Sequence, residues 1–288
     1  MLRAHIRTAV LSAGLALIST LGACSAEQPP RPSALMAARP DPRPAADGVL
    51  SQVIGKISER GSVRTSVRGS LGMVGELTAE GVVRYQGSLA DLAFDGRTRA
   101  AKNQPPQHLQ LSIVDGVGYL KTPLVPPEPN KSWLRIAPDG MDFGSRLLSP
   151  TLDQLHAAID PRATFTGVEP ATRIQASAPD TVDGKPTTRY ELRIITAQAA
   201  DVATDPQQRI RFRQVANSGE PELGYQLWLD ESGLPTRFAA SQEVAQAGQV
   251  SLTSTYRDWG APVEIRVPPI EQVGVFQEAT PRAQQPPR

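Results

Sequence analysis

The chain of 288 residues has one cysteine, three histidines and few aromatic side chains, only 5% of the total. Each scarcity excludes something. A single cysteine, Cys24, leaves no intrachain disulfide, so the fold rests on burial of apolar surface. Few aromatics argue against a stacking platform for bases or sugars. A net charge of +1 gives no electrostatic reason to expect a nucleic-acid partner. His5 precedes the apolar run of an export signal, which leaves only His108 and His156 for catalysis. Neither sits in His-Glu-x-x-His, and Gly-x-Ser-x-Gly and phosphate-loop motifs are missing as well. Asp91, Asp95 and Asp115 read as turn or solvent-face carboxylates without metal-ligand spacing. No catalytic residue, metal or cofactor is expected, and the chain is read as a non-enzyme.

What is present begins with that signal. Arg3 and Arg7 precede an apolar run from Thr8 to Thr20, which closes on Leu21-Gly22-Ala23-Cys24. The run is shorter than the about 20 residues a transmembrane helix needs, and reads as a cleavable export signal. The closing tetrapeptide looks like a bacterial lipobox, which predicts acylation of Cys24 with fatty chains of the palmitate kind. Two or more such chains anchor stably, since each buried methylene is worth about 0.8 kcal/mol. Residues 1–23 are thus read as signal peptide. Residues 24–46 are the lipidated cysteine and a proline-rich tether, able to extend roughly 60–70 Å. Residues 47–272 are the folded domain, and 273–288 a disordered Pro/Gln-rich tail. The expected location is the extracytoplasmic face of the cell membrane.

Within the domain the hydrophobic period alternates between helix and strand. Val49, Leu50, Val53, Ile54 and Ile57 share one face of a helix over Gly48–Arg60, with Asp47 as its cap. Period-two runs follow at Val67–Met73, Leu77–Tyr85, Leu89–Phe94 and His108–Ile113. Asp115-Gly116 then turns the chain into Val117, Tyr119 and Lys121. Trp133–Ile136 is a further strand. Ser149 and Pro150 read as the cap and first residue of a second helix, with Leu152, Leu155, His156 and Ile159 along one side and Pro161 as its stop. Strands resume at Arg173–Ala178 and Thr188–Ile195. A third helix runs from Asp205-Pro206 to Ala216, and three long strands carry Tyr225–Leu229, Leu234–Phe238 and Val250–Tyr256.

About ten sequential strands and three helices predict an α+β fold: one large antiparallel sheet, curled, with amphipathic helices in its concave side. Glycines at 69, 72, 75 and 81 fall inside strands, where they mark bends or close approaches. The inward residues are mainly aliphatic. Leu71, Met73, Leu77, Val83, Leu109, Leu111, Ile113, Tyr119, Leu227 and Leu252 are the candidate lining of an apolar cavity, suited to acyl chains rather than flat rings.

Several segments resemble the actinobacterial LppX/LprA/LprF/LprG lipoproteins. They are the lipobox, Thr-Ala-Glu-Gly-Val-Val-Arg-Tyr at 78–85, Val-Asp-Gly-Val-Gly-Tyr-Leu-Lys at 114–121 and Lys-Ser-Trp-Leu-Arg-Ile at 131–136. Tyr-Gln-Leu-Trp-Leu-Asp-Glu-Ser-Gly-Leu-Pro-Thr-Arg at 225–237 and Tyr-Arg-Asp-Trp-Gly-Ala-Pro-Val-Glu-Ile at 256–265 extend the likeness over roughly 47–270. The resemblance implies a LolA/LolB-like, U-shaped half-barrel whose cavity takes the acyl chains of envelope lipids or lipoglycans. It also implies carriage of that lipid across a periplasm-like space, in some cases beside a transmembrane exporter. The alternative is a non-carrier envelope scaffold that docks to a transporter and whose cavity is filled by side chains.

Overall fold

The computed structural model describes residues 46–276 apart from 73–74, 88, 102, 125–126 and 245–247. Cys24, the export signal and Met73 therefore lie outside the described residues, as do the tether up to residue 45 and residues 277–288.

Helix α1 (Asp47–Arg60) opens the domain and buries Leu50, Val53 and Ile57. Asp47 is its first helical residue rather than its cap. Ala46 takes the cap position, is fully buried and donates its N–H to the Thr172 carbonyl at 3.0 Å. Gly61 ends the helix at φ 73°, a conformation glycine adopts without strain. The strands β1 (Ser62–Leu71), β2 (Glu76–Gln86), β3 (Leu89–Arg99), β4 (Gln107–Val114), β5 (Val117–Lys121) and β6 (Trp133–Ile136) follow in sequential pairing. Asp115 (φ 51°) and Gly116 (φ 76°) form the two-residue β4–β5 turn that needs positive φ at both positions.

Helix α2 (Phe143–Ile159) and the short α3 (Pro161–Phe165) interrupt the strands. A one-turn 3-10 helix (Glu169–Ala171) then leads into β7 (Thr172–Val182) and β8 (Lys185–Ile195). Asp183 and Gly184 repeat the positive-φ turn between these two. Helices α4 (Thr196–Val202) and α5 (Pro206–Asn217) precede β9 (Glu222–Leu229), β10 (Pro235–Val244) and β11 (Gly248–Arg257). Asp205 caps α5 through Gln207 N and Gln208 N. The last strand, β12, is Val273–Gly274.

These twelve strands form one open sheet in the order β12-β6-β5-β4-β3-β2-β1-β11-β10-β9-β8-β7. Its neighbours run antiparallel except for the parallel β12–β6 pair. The fold is therefore α+β around a large, unclosed antiparallel sheet. The sheet is also curled. β6 and β10 stand seven strand spacings apart, about 34 Å if flat. The 17-residue α2, about 25 Å long, touches both.

Two expectations need correction at the ends of elements. The domain does not stop at 272: Val273 and Gly274 pair with Trp133 and Leu134, and Phe276 packs against Phe143 at 5.4 Å. The edge strand β6 thereby gains a partner for its open backbone groups. Helix α2 also starts six residues before Ser149. Asp142 is its cap, accepting from Ser145 N at 2.9 Å, and Pro150 lies inside the helix. Ser149 instead donates its hydroxyl to the Ala137 carbonyl at 3.1 Å. Among the described residues five helices form where three were expected, because α3 and α4 are too short to show a helical period.

The inner face of the sheet has two different fillings. Between α3 and β9–β10 an aromatic cluster packs solidly. Phe165 meets Tyr225 edge-on at 5.4 Å and Phe238 at 5.8 Å, and Tyr225 stacks on Phe238 at 5.8 Å. A second group, Tyr85, Trp259 and Tyr256, closes one end of β1, β2 and β11. Burial raises the phenol of Tyr225 to about 12 and pushes Tyr85 and Tyr256 well above the usual value, the Asp160 carboxylate adding to both.

Each of these phenols is neutral in the fold and ionises near pH 10 once unfolded. The associated stability is complete below about pH 10 and is lost as pH rises toward the raised folded values, Tyr225 alone accounting for about 3 kcal/mol. Tyrosinate absorbance is thus expected to rise together with loss of circular dichroism. Ionisation of all five tyrosines near pH 10 with the fold intact would contradict this burial.

Candidate functional site

The other half of the concave face, under β1–β6, is apolar and mainly aliphatic. Strands place alternate residues inward, and the inward positions here are Val67 and Leu71 of β1, Leu77 and Ala79 of β2, Phe94 of β3, Leu109 and Leu111 of β4, Leu120 of β5 and Ile136 of β6. Helix α2 covers them with Leu148, Thr151, Leu152, Leu155 and Ile159. Between strands and helix lies a cavity in which Thr151 is the one polar-type residue among the described lining residues. The cavity has a volume of about 50 Å³. Gly118 lets α2 come this close, because a Cβ there would overlap Leu152 Cδ1.

The helix is held differently at its two ends. At its C-terminus the Tyr256 hydroxyl donates to the Ile159 carbonyl at 2.6 Å, and Ser254 donates to the Ala158 carbonyl at 3.1 Å. Its N-terminal turns hang on Asp142, on Ser145 and Ser149 at the Ala137 peptide groups, and on the Phe143–Phe276 contact. Pro150 between these regions lacks the N–H that would bond the previous turn. Met141 and Phe143 at the N-terminal end are 81% and 40% exposed.

Of the residues expected to line a cavity, Leu71, Leu77, Leu109 and Leu111 meet around this one. Met73 lies outside the described residues. Val83, Ile113, Leu227 and Leu252 are buried, yet in solid core. Val83 and Ile113 sit toward the opposite ends of their strands, where α1 contacts β2. Leu227 lies in the half filled by the aromatic cluster. Tyr119 is half-buried on the outer face; Gly118 and Leu120 point inward in its place, a one-residue error of parity. The contribution of α2 was missed as lining, although its apolar side at Leu152, Leu155 and Ile159 was legible.

The polar candidates are dispersed. His108 Nε2 lies 2.8 Å from Asp95 Oδ1 on the exposed outer face. His156 Nε2 is buried without a hydrogen-bond partner. Asp153, one turn earlier, is raised by burial, with His156 and Arg211 pulling the other way. Asp91 departs from the expected solvent-face role: it is buried, 2.7 Å from Arg84 and accepting from Asp115 N at 3.0 Å. Among the described residues no cluster of three or more His, Cys, Asp or Glu could hold a metal. Among them, too, no helix is long and apolar enough to cross a membrane.

No family model matches the sequence, and no curated protein matches it. Among solved structures, the crystal structure of LprF from Mycobacterium bovis is similar at 18% identity and a TM-score of 0.43, over 77% of this chain and 96% of that chain. So distant a likeness adds nothing to the account of the cavity, which rests on the geometry above.

Proposed function

We propose that this protein is a lipid-anchored, non-catalytic module of the cell envelope that holds an acyl chain of an envelope lipid or lipoglycan in the cavity between β1–β6 and α2. The observation that carries the proposal is the lining, apolar from six neighbouring strands and one helix, with Thr151 the lone hydroxyl among the described lining residues. Such a surface lowers the cost of a greasy chain in water and offers no group that would do chemistry on it. The segments that resemble LppX/LprG-type lipoproteins point to the same ligand class, to carriage across a periplasm-like space, and to a membrane exporter as partner.

The cavity of about 50 Å³ is small beside ligand sites of roughly 300–1,000 Å³, so loading requires α2 to lift. The energies favour this. Leu148 and Leu152 are only half-buried, so releasing them costs less than the about 3–6 kcal/mol of two fully buried leucines, whereas burying about ten methylenes returns about 8 kcal/mol. The N-terminal half of α2, with Pro150 as the break and Met141 and Phe143 exposed at its start, is the part that moves.

The same small volume favours a second reading, a scaffold that docks to a transporter with its hollow closed by α2. Lipid extraction separates the two. Mass spectrometry of the purified full chain is expected to yield acyl lipid near one-to-one, whereas protein that is empty and refuses added lipid supports the scaffold. Anchoring has its own test. Cys24→Ala is expected to move the protein from the membrane fraction to the soluble one; unchanged membrane partition would remove the anchor from the proposal.

A further inference from the structure

The cavity floor contains an unusual block of minimal side chains. On the inner face of β2 the series runs Leu77, Ala79, Gly81, Val83, and on β3 it runs Leu92, Phe94, Gly96, Thr98. Register pairs Ala79 with Gly96 and Gly81 with Phe94, which puts Ala79, Gly81 and Gly96 side by side. Neither Gly81 nor Gly96 has a positive φ, so no turn requires glycine there. Glycine inside a strand lowers stability, and where the backbone does not demand it, the reason is close approach of another group.

For Gly81 two groups approach: the Ala93 carbonyl of the neighbouring strand and the Phe94 ring. A Cβ on Gly81 would lie 2.7 Å from Phe94 Cε1 and closer still to Cδ1 and to the Ala93 oxygen, so the ring rests directly on the glycine. At Gly96 a Cβ would collide with the Thr78 carbonyl and with Ala79 of the paired strand. Phe94 is also the lone aromatic among the cavity-lining residues described. The Phe94 ring therefore fills the space above Gly81 that a side chain there would take, with Val67, Leu109 and Leu111 on the adjoining strands.

We propose that Phe94 sets the length of apolar chain the cavity accepts, by occupying the recess formed by Ala79, Gly81 and Gly96. This rests on the acyl-binding reading above and adds the residue that determines its specificity. A chain entering along α2 meets the ring as its floor. Without the ring, the chain continues into the recess.

The test uses the full chain carrying Cys24→Ala, so that no acyl group of its own competes, titrated with straight-chain acids from octanoate to stearate. Binding is expected to tighten about fourfold per added methylene up to a limiting length and then level off. Phe94→Ala is expected to move that limit to longer acids by about two methylenes or more, with Phe94→Leu between. Should Phe94→Ala fail to fold, the limit in Phe94→Leu against the unsubstituted ring decides by the same criterion. An identical limit in all variants overturns the role of Phe94 and leaves the acyl-binding reading standing. Absence of binding for every acid in every variant overturns both.

Discussion

Asp160→Ala is expected to lower stability by about 3–5 kcal/mol, the largest single loss anticipated for a polar residue of this fold. Asp160 is 1% exposed and joins α2 to α3. Its carboxylate caps α3 by accepting from Arg162 N at 2.9 Å and faces the Arg162 guanidinium at 3.5 Å. That guanidinium is buried too. It donates to Ser58 Oγ and to the Gly87 carbonyl, both at 3.2 Å, and lies 4.4 Å from the centre of the Tyr85 ring. Alanine removes the cap and the counter-charge together, leaving a buried cation without this carboxylate.

A loss of that size lowers the melting temperature by about 6–20 °C in a domain of this length. Asp160→Asn keeps the cap but not the charge, and is expected to recover part of the loss. A change below about 1 kcal/mol in Asp160→Ala would mean that the junction does not depend on this pair.

Ala79→Leu carries the second large effect, on binding rather than stability. Ala79 lines the cavity, and three added carbons take up much of a space of about 50 Å³. Affinity for an acyl chain is expected to fall about tenfold or more, since several buried methylenes lose their place. Filling a void recovers contacts while crowding costs about 1–3 kcal/mol, so the variant is expected to stay folded. Undiminished affinity in a folded Ala79→Leu protein would place the ligand elsewhere.

The sheet was legible in the sequence because strict alternation and two Asp-Gly turns specify hairpins locally. Trp133–Ile136 matches β6 at both ends, and the α1 face of Leu50, Val53 and Ile57 is the buried one. Ends of elements were less legible, because tertiary contacts set them. Ser149-Pro150 reads as a helix start, yet Asp142 provides an earlier cap and the Ala137 peptide engages Ser149. The two-residue β12 has no period and exists because β6 offers an edge.

For the site, four of the ten lining candidates converge on the cavity. Alternation shows which side of a strand is inward, but not which part of the inner face lies over open space. That depends on where α3 brings Phe165 against Tyr225 and Phe238, a contact between distant segments. At Tyr119 the parity itself was misread: Gly118 and Leu120 are the buried positions of β5.

The central claim is that an apolar chain enters between β1–β6 and α2. Calorimetric titration of the delipidated Cys24→Ala chain with palmitate at several temperatures tests it most directly, because burial of apolar surface gives a negative heat-capacity change. The account predicts one-to-one binding with a clearly negative change that largely disappears in Ala79→Leu. Absence of heat and of binding at every temperature, or the same signal in both proteins, would contradict it.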